Sequence, residues 1–259
     1  MSRKTLVAIA AVVLLGAAVL SAGCTRVPLT ESQKVFGGEP GKSSTETTSA
    51  PLGGADRIDA TIRMGVGDLA VSSVSSQTAG FTGEFKYNPE SWKPEVTYRV
   101  NPAVGGSVGV LYVGQPEDAG PMTWVDAENR WDLALASGVP TNLSLKMGVG
   151  QGSVDLSGVD VRHLEAVTGV GETKIDLSGP RSADVSGTIT TGVGATTVRL
   201  PSSVGVQITG SGDGLGEVSS EGFNGSGDVL TNDAWSQPGP KITLKVVRGV
   251  GDITFELVE

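Results

Sequence analysis

The chain has 259 residues, of which 19 are Lys or Arg and 28 are Asp or Glu, so its formal net charge at pH 7 is −9. Such acidity argues against binding nucleic acid through its phosphates and against electrostatic attraction to an anionic membrane. The single cysteine excludes internal disulfides, and the single histidine excludes a His-rich zinc site.

The first 23 residues have the features of an export signal. Arg3 and Lys4 form a positive segment, residues 6–20 are an uninterrupted run of small and apolar residues, and Ser21-Ala22-Gly23 precedes Cys24. The run is short for a membrane-spanning helix, which needs about 20 residues. The pattern resembles the bacterial lipoprotein signal, which implies cleavage before Cys24, lipid on Cys24 and a position on the extracytoplasmic side of the cell membrane. A retained N-terminal anchor is the alternative.

Residues 24–55 are predicted to be the lipidated cysteine and a flexible linker. The stretch 43–49 reads Ser-Ser-Thr-Glu-Thr-Thr-Ser, a polar composition with no large apolar side chain. The folded domain is predicted to span residues 56–259, about 200 residues, which suffices for one substantial core.

Five copies of Gly-Val-Gly punctuate this domain, and three of them follow one another at intervals of 21 and 23 residues. A degenerate copy begins at Gly210. Repetition with a period of about 20 residues is typical of stacked repeat folds. Each copy is predicted to be a structural corner between two strands, because glycine tolerates positive φ and close backbone approach. The corner glycines are Gly65, Gly67, Gly148, Gly150, Gly169, Gly171, Gly192, Gly194, Gly249 and Gly251.

Apolar residues alternate with period two on both sides of each copy, as in half-buried strands. Leu143, Leu145, Met147 and Val149 share one parity, whereas the residues after the glycines resume on the other parity, as at Val154. One common core therefore requires a register shift at the corner, and this interpretation points Val149 inward.

The predicted fold is all-β: a single-domain, β-solenoid-like stack of short strands, with a Greek-key β-sandwich as the alternative. The first and last copies read Gly-Val-Gly-Asp, followed directly by Leu69 or Ile253. Because a stack needs distinct terminal units, these two copies are predicted to cap its ends.

Residues 72–142 interrupt the period as an aromatic-rich insert, predicted to form an antiparallel meander that pairs with or covers the stack. The insert contains Trp92, Trp124 and Trp131. One interpretation packs these tryptophans against the first repeat, and the other makes them a ligand surface for a glycan or a protein.

Asp155 and Asp176 occupy equivalent outward positions in adjacent repeats. Close carboxylates can bind a cation or act as an acid and base. Arg199 follows at the same position, however, so a self-neutralising charged column is expected instead. His163 is assigned to a surface turn. No catalytic residue, metal ligand or cofactor is predicted.

The segments 131–133, 145–150, 154–158, 164–177 and 198–201 together resemble the bacterial toast-rack domain, and the likeness covers about residues 56–259. That family is akin to adhesin-like β-solenoid domains and to the C-terminal domain of cell-wall-antibiotic-response membrane proteins. The resemblance implies an all-β extracytoplasmic domain without established activity, and it supplies no catalytic residues.

The expected function is that of a lipid-anchored structural or interaction protein of the cell envelope, not an enzyme. Its partners would be the membrane through the lipid and an envelope protein, a glycan or a second copy. The alternatives are a carbohydrate-binding module that uses the insert's tryptophans and a polysaccharide-cleaving β-helix enzyme with Asp155 and Asp176 as its acids.

Overall fold

The computed structural model describes residues 25–26, 30–35, 43–74, 78–117, 127–210, 214–226 and 228–259. The predicted signal peptide (1–23) and Cys24 lie outside these residues. Within them the chain is all-β and forms one large mixed sheet without an α-helix.

The described residues form nineteen strands and two short 3-10 helices. In chain order they are β1 (Thr25–Arg26), β2 (Thr30–Val35), β3 (Ser44–Pro51), β4 (Arg57–Val74), β5 (Ala79–Asn88), η1 (Glu90–Trp92), β6 (Glu95–Ala103), β7 (Gly106–Gly114), β8 (Glu128–Ala136), β9 (Thr141–Asp155), β10 (Val161–Val170), β11 (Thr173–Asp176), β12 (Val185–Val193), β13 (Thr196–Pro201), β14 (Gly205–Thr209), β15 (Val218–Ser219), β16 (Asn224–Ser226), β17 (Val229–Thr231), η2 (Asp233–Ser236), β18 (Lys241–Val247) and β19 (Ile253–Val258).

Successive repeats lie side by side in two parallel ladders. The first ladder runs β7, β4, β9, β10, β12, β18, β14. The second runs β8, β4, β9, β11, β13, β19, β15. The long strands β4 and β9 contribute one half to each ladder. Each repeat is therefore a rung, by which we mean two strand segments joined at a corner, one in each ladder.

The order of the rungs in space differs from their order in the chain. The first Gly-Val-Gly rung, β4, lies between the β7–β8 rung and β9. The last, β18–β19, lies between β12–β13 and β14–β15. The prediction that these two copies cap the stack is therefore wrong. The insert and the degenerate copy occupy those positions instead, because the chain doubles back at both ends.

Antiparallel strands flank the terminal rungs. At one end β6 pairs with β7 and β5 pairs with β8, and at the other end β17 pairs with β14. The insert is thus only partly the antiparallel meander that its sequence predicts, since β7 and β8 run parallel to β4. These added strands cover ladder edges that would otherwise expose unpaired backbone groups.

The polar segment predicted as a linker forms part of the sheet. Ser44–Pro51 is strand β3, paired antiparallel with β5 over eight residues. Glu46 and Thr48 on this strand are buried, and the Tyr87 hydroxyl donates to Glu46 at 3.2 Å. The sheet therefore begins before residue 56, because backbone pairing to a neighbouring strand compensates for the lack of apolar side chains.

One apolar core lies between the two ladders. Met147 before the corner and Val154 after it are both buried, at 6% and 1% exposure. Their positions differ by an odd number, which would put them on opposite faces of a regular strand. Burial of each such side chain contributes about 1.5–3 kcal/mol.

The glycines of each corner stack directly on those of the next rung. A Cβ on Gly150 would lie 1.8 Å from the carbonyl oxygen of Gly67, and one on Gly171 would lie 1.8 Å from that of Gly150. Both residues also have positive φ, 140° and 137°. The backbones of adjacent corners therefore pack closely only because neither carries a side chain.

We expect Gly171→Ala to lower the free energy of unfolding by at least about 3 kcal/mol, because Cβ overlaps a backbone atom and φ is unfavourable. Gly138→Ala is the control: its φ is also positive, 76°, but nothing lies within 4 Å of the added atom. That change should cost only about 1 kcal/mol. Urea unfolding of both variants measures the difference, and equal losses would show that close approach at the corner is unimportant.

Candidate interaction surface

The central valine of each corner projects outward and forms a continuous ridge. We call this column the valine ridge; its members, in spatial order, are Val66, Val149, Val170, Val193, Val250 and Leu215. Exposure is 47–51% for Val149, Val170, Val193 and Val250 and 68% for Leu215. The prediction that Val149 points inward is therefore wrong. The chain bends at Gly148 and Gly150, so that Val149 lies on the outside of the bend.

Backbone hydrogen bonds hold the ridge in register. The Gly171 amide donates to the Val193 carbonyl at 2.9 Å, and the Gly194 amide donates to the Val250 carbonyl at 2.9 Å. The amide of Leu215 donates to the carbonyl of Gly249 at 2.9 Å. With these backbone groups paired, the exposed surface of the ridge consists mainly of apolar side chains bordered by glycine.

Two amide side chains terminate the ridge where the neighbouring β7–β8 rung lacks a Gly-Val-Gly corner. The Gln115 side-chain oxygen accepts hydrogen bonds from the Gly65 and Val66 amides at 2.9 and 3.1 Å. Asn129 Nδ2 donates to the Val66 carbonyl at 2.6 Å. These side chains supply the donors and acceptors that the backbone of another corner would supply. The sequence signal for Gln115 and Asn129 is that the segment containing β7 and β8 has no Gly-Val-Gly corner of its own.

Opposite charges flank the two sides of the ridge. On the first-ladder side, one in-register column reads Arg63, Lys146, Val167, Thr190 and Val247. On the second-ladder side, the residues directly after the corners are Asp68, Gln151, Glu172, Ala195, Asp252 and Glu217. Over these rungs the first column carries basic and no acidic residues, and the second carries acidic and no basic residues; on the adjacent β8, Arg130 pairs in register with Asp68.

An open groove of about 420 Å³ borders the ridge on its acidic side. Its lining includes Asp68, Gln151, Glu172, Lys174 and Ala195. A protruding apolar ridge and a depression that runs along it are therefore adjacent on one face.

The charged column predicted from Asp155 and Asp176 is present in the second ladder. Asp176 pairs in register with Asp155 and with Arg199, and Arg199 pairs with Glu256. Arg199 Nη1 donates to Asp176 Oδ2 at 2.5 Å, and its Nε lies 3.4 Å from Glu256.

The hydrogen bonds of the two aspartates differ. Asp155 is exposed and accepts from the Ser157 amide at 2.9 Å and the Ser157 hydroxyl at 2.6 Å. Asp176 is buried, and burial alone raises the pKa of its carboxyl. Hydrogen bonds from Ser178 and the adjacent Arg199 guanidinium lower that pKa by more, so it lies below its ordinary value. Both carboxylates are thus engaged in local structural bonds.

The predicted tryptophan platform is wrong for two of its three members. Trp131 is fully buried, donates from Nε1 to Asn129 Oδ1 at 2.8 Å and packs edge-on against Phe85 at 5.7 Å between ring centroids. Trp92 is 5% exposed in η1. Trp124 lies outside the described residues. Trp131, Leu133 and Leu135 share one parity in β8, and this alternation was the sequence signal for burial of Trp131. The burial of Trp131 and Trp92 agrees with the interpretation that packs the insert's tryptophans into the core.

His163 lies within β10, not in a turn, and its Nδ1 is 3.1 Å from the Ser186 hydroxyl. Within the described part of the chain, no group of three or more His, Cys, Asp or Glu is arranged to hold a metal ion. The same residues include no helix with the length and apolar character needed to cross a membrane.

Comparison with known proteins places these features in a family context. A family model described as the N-terminal domain of toast_rack, DUF2154, matches residues 39–199. A crystal structure titled as a putative cell adhesion protein from Clostridium sporogenes is 29% identical, with a TM-score of 0.76, and the match covers 84% of this chain and 100% of that one. A putative adhesin from Bacteroides fragilis is 14% identical with a TM-score of 0.31, over 82% of this chain and 96% of that one. A comparison with curated proteins found no match.

We expect Asp176→Asn to lower the free energy of unfolding by about 1.5–3 kcal/mol at neutral pH, because it removes a charged acceptor. The folded-state pKa of Asp176 is lowered, so its contribution is present above the unfolded pKa of about 3.8. This contribution is lost as pH falls through the lower folded pKa. The difference in the free energy of unfolding between Asp176→Asn and the parent should therefore close.

Urea unfolding from neutral pH to about pH 3 measures this dependence. Asp155→Asn, at the exposed equivalent position, is the matched control and should cost less. A difference between Asp176→Asn and the parent that does not change with pH would contradict the structural role of the Asp176 carboxylate. An equal loss of stability in Asp155→Asn would contradict it too.

Proposed function

The chain belongs to the toast-rack family, whose N-terminal domain model covers residues 39–199, and on that premise we propose that it is a lipid-anchored, extracytoplasmic interaction protein of the cell envelope. In this proposal the sheet is a rigid scaffold and the valine ridge with its flanking charges is the contact surface. The protein would act by adhesion and not by catalysis.

The observation that carries the proposal is the ridge itself. Its apolar side chains stand in one column, exposed at every corner except the half-buried Val66, on a surface that backbone hydrogen bonds and stacked glycines hold rigid. Contiguous exposed apolar surface is typical of interaction sites in soluble proteins. A preorganised surface also loses little conformational entropy on binding.

The comparison with the Clostridium sporogenes protein supports adhesion as the class of function. That protein is titled as a putative cell adhesion protein, and all of it aligns with this chain at 29% identity. The likeness therefore extends over 84% of this chain.

We also propose that the stack is a short β-solenoid. In-register parallel pairing between successive rungs, two ladders around one core, and a corner repeated in each rung support this description. Such a stack presents an elongated surface whose side chains repeat about every 4.8 Å, which suits recognition of another extended surface.

The membrane anchor is proposed from the segment that precedes the sheet. Arg3, Lys4, the apolar run and the small residues before Cys24 support signal cleavage and lipidation. Thr25, directly after Cys24, pairs with Val100 of β6. A lipid on Cys24 would then hold the β6 end of the stack near the bilayer.

Cys24→Ala should release the protein from the membrane fraction, because the acyl chains supply about 0.8 kcal/mol of membrane affinity per buried CH₂. Thr25→Ala, which leaves the cysteine in place, should remain bound. Fractionation followed by immunoblotting measures the two, and full retention of the Cys24 variant would contradict lipid anchoring.

Adhesion is tested with purified full-length chain carrying Cys24→Ser, added to intact cells of the source organism that display the native chain. Val170→Asp should reduce cell retention by about tenfold, a loss of roughly 1.4 kcal/mol. Ser186→Asp, an exposed position away from the ridge, is the control. Equal retention of the two variants would show that the ridge is not the contact surface.

A further inference from the structure

We propose that the valine ridge binds a second copy of this chain, face to face, around a twofold axis parallel to the ridge. The inference rests on the proposed function and deepens it by naming the partner of the same surface. Three properties of that surface carry it: its shape, the distribution of its charges and its size.

The shape permits contact along the whole ridge. The ridge protrudes beside a glycine strip (Gly67, Gly150, Gly171, Gly194 and Gly251) that carries no side chains and therefore does not obstruct an approaching surface. A twofold rotation about an axis parallel to the ridge brings the ridges of the two copies into contact, each rung against the equal rung of the other copy. Because both copies repeat at the same strand spacing of about 4.8 Å, the valines of one meet the other at every rung.

The charges select this axis over the alternative. A twofold axis parallel to the ridge brings the column containing Arg63 and Lys146 across from the column containing Asp68, Glu172 and Asp252 of the second copy. A twofold axis across the ridge would oppose each column with itself, placing acid against acid. Complementary columns favour the first arrangement and disfavour the second.

Two basic residues line the groove together with the acidic column. Arg130 is engaged with Asp132, with Nε 3.2 Å from Oδ2. Lys174 is exposed. Arg130 pairs in register with Asp68 and lies one rung beyond the end of the ridge, on β8. Lys174 lies two residues beyond Glu172 on the same strand side. Over the six rungs of the ridge itself, the column next to the glycine strip contains acidic and uncharged residues only.

The small size of the surface limits the stability of the contact. Six rungs at about 4.8 Å give a ridge about 24 Å long, and with its groove it covers on the order of a few hundred Å². A stable complex usually buries about 800 Å² on each partner. Association in solution should therefore be weak, and it becomes substantial when copies held on membranes reach effective concentrations in the millimolar range.

The test uses the full-length chain with Cys24→Ser, so that an introduced cysteine is the only thiol. Val170→Cys places the thiol on the ridge, and Glu165→Cys places it on the same strand, exposed and away from the ridge. Under mild oxidation we expect disulfide dimers to form about tenfold faster from the ridge variant, because the twofold axis brings together the thiols at position 170 of the two copies. Adding Val193→Asp to Val170→Cys should return the rate to that of the control.

The orientation is tested by mixing Val149→Cys and Val250→Cys proteins. Rotation about an axis parallel to the ridge pairs equal rungs, so each protein should crosslink with itself and mixed dimers should be rare. Predominantly mixed dimers would overturn the proposed axis, and equal rates for the Val170 and Glu165 variants would overturn the interface.

Repeating the cell-retention experiment on cells that lack the gene for this chain lets the two proposals fail separately. Retention without crosslinking rejects the second copy as partner and leaves adhesion standing. Crosslinking without retention supports self-association and rejects adhesion to other cell-surface components.

Discussion

The close approach of backbone to backbone at the glycine corners is the constraint on which the structure depends. The carbonyl of one corner occupies the position where a side chain of the next would begin, within 2.0 Å of the Cβ that Gly150, Gly171 or Gly194 would carry. Rungs can therefore stack in register through the bend, where any larger residue would separate them. The bend in turn directs Met147 and Val154 into the same core and leaves Val149 on the outer surface.

A stack built in this way has two open ends, and the chain closes them with segments outside the regular repeat. The insert supplies the β7–β8 rung and its antiparallel partners, while β14 and β17 close the other end. Gln115 and Asn129 satisfy the terminal corner with side-chain amides. Arg181 performs a related role at the turns, where its guanidinium donates to the Val159 and Leu177 carbonyls at 2.9 and 2.8 Å. These contacts stabilise positions where the ladder pattern cannot continue.

The outer faces of the two ladders differ from the corner surface in how their charges are used. Asp176, Arg199 and Glu256 neutralise one another along the second ladder, and Asp155 binds its own turn. Along the six rungs of the valine ridge, by contrast, the column with Arg63 and Lys146 and the column with Asp68, Glu172 and Asp252 lie on separate sides of an apolar strip. Local ion pairing supports the strands, whereas separated columns favour recognition of a complementary surface. This distinction is the physical basis for assigning interaction to the corner and structure to the ladder faces.

From the sequence alone, period-two alternation determined that the protein is all-β, because alternation reflects the local geometry of a strand. The spacing of the recurring glycines determined that Asp176 and Arg199 fall in one column, because equivalent positions of successive repeats lie side by side. The order of the rungs, the strand formed by Ser44–Pro51, the burial of Trp131 and the outward position of Val149 were decided only by the tertiary structure. Each depends on which distant segment lies alongside: β5 gives the polar β3 its hydrogen-bonding partner, and the bend at each corner reverses the side to which its valine points. Local patterns specify strands, but the packing of strands far apart in sequence specifies which faces meet solvent.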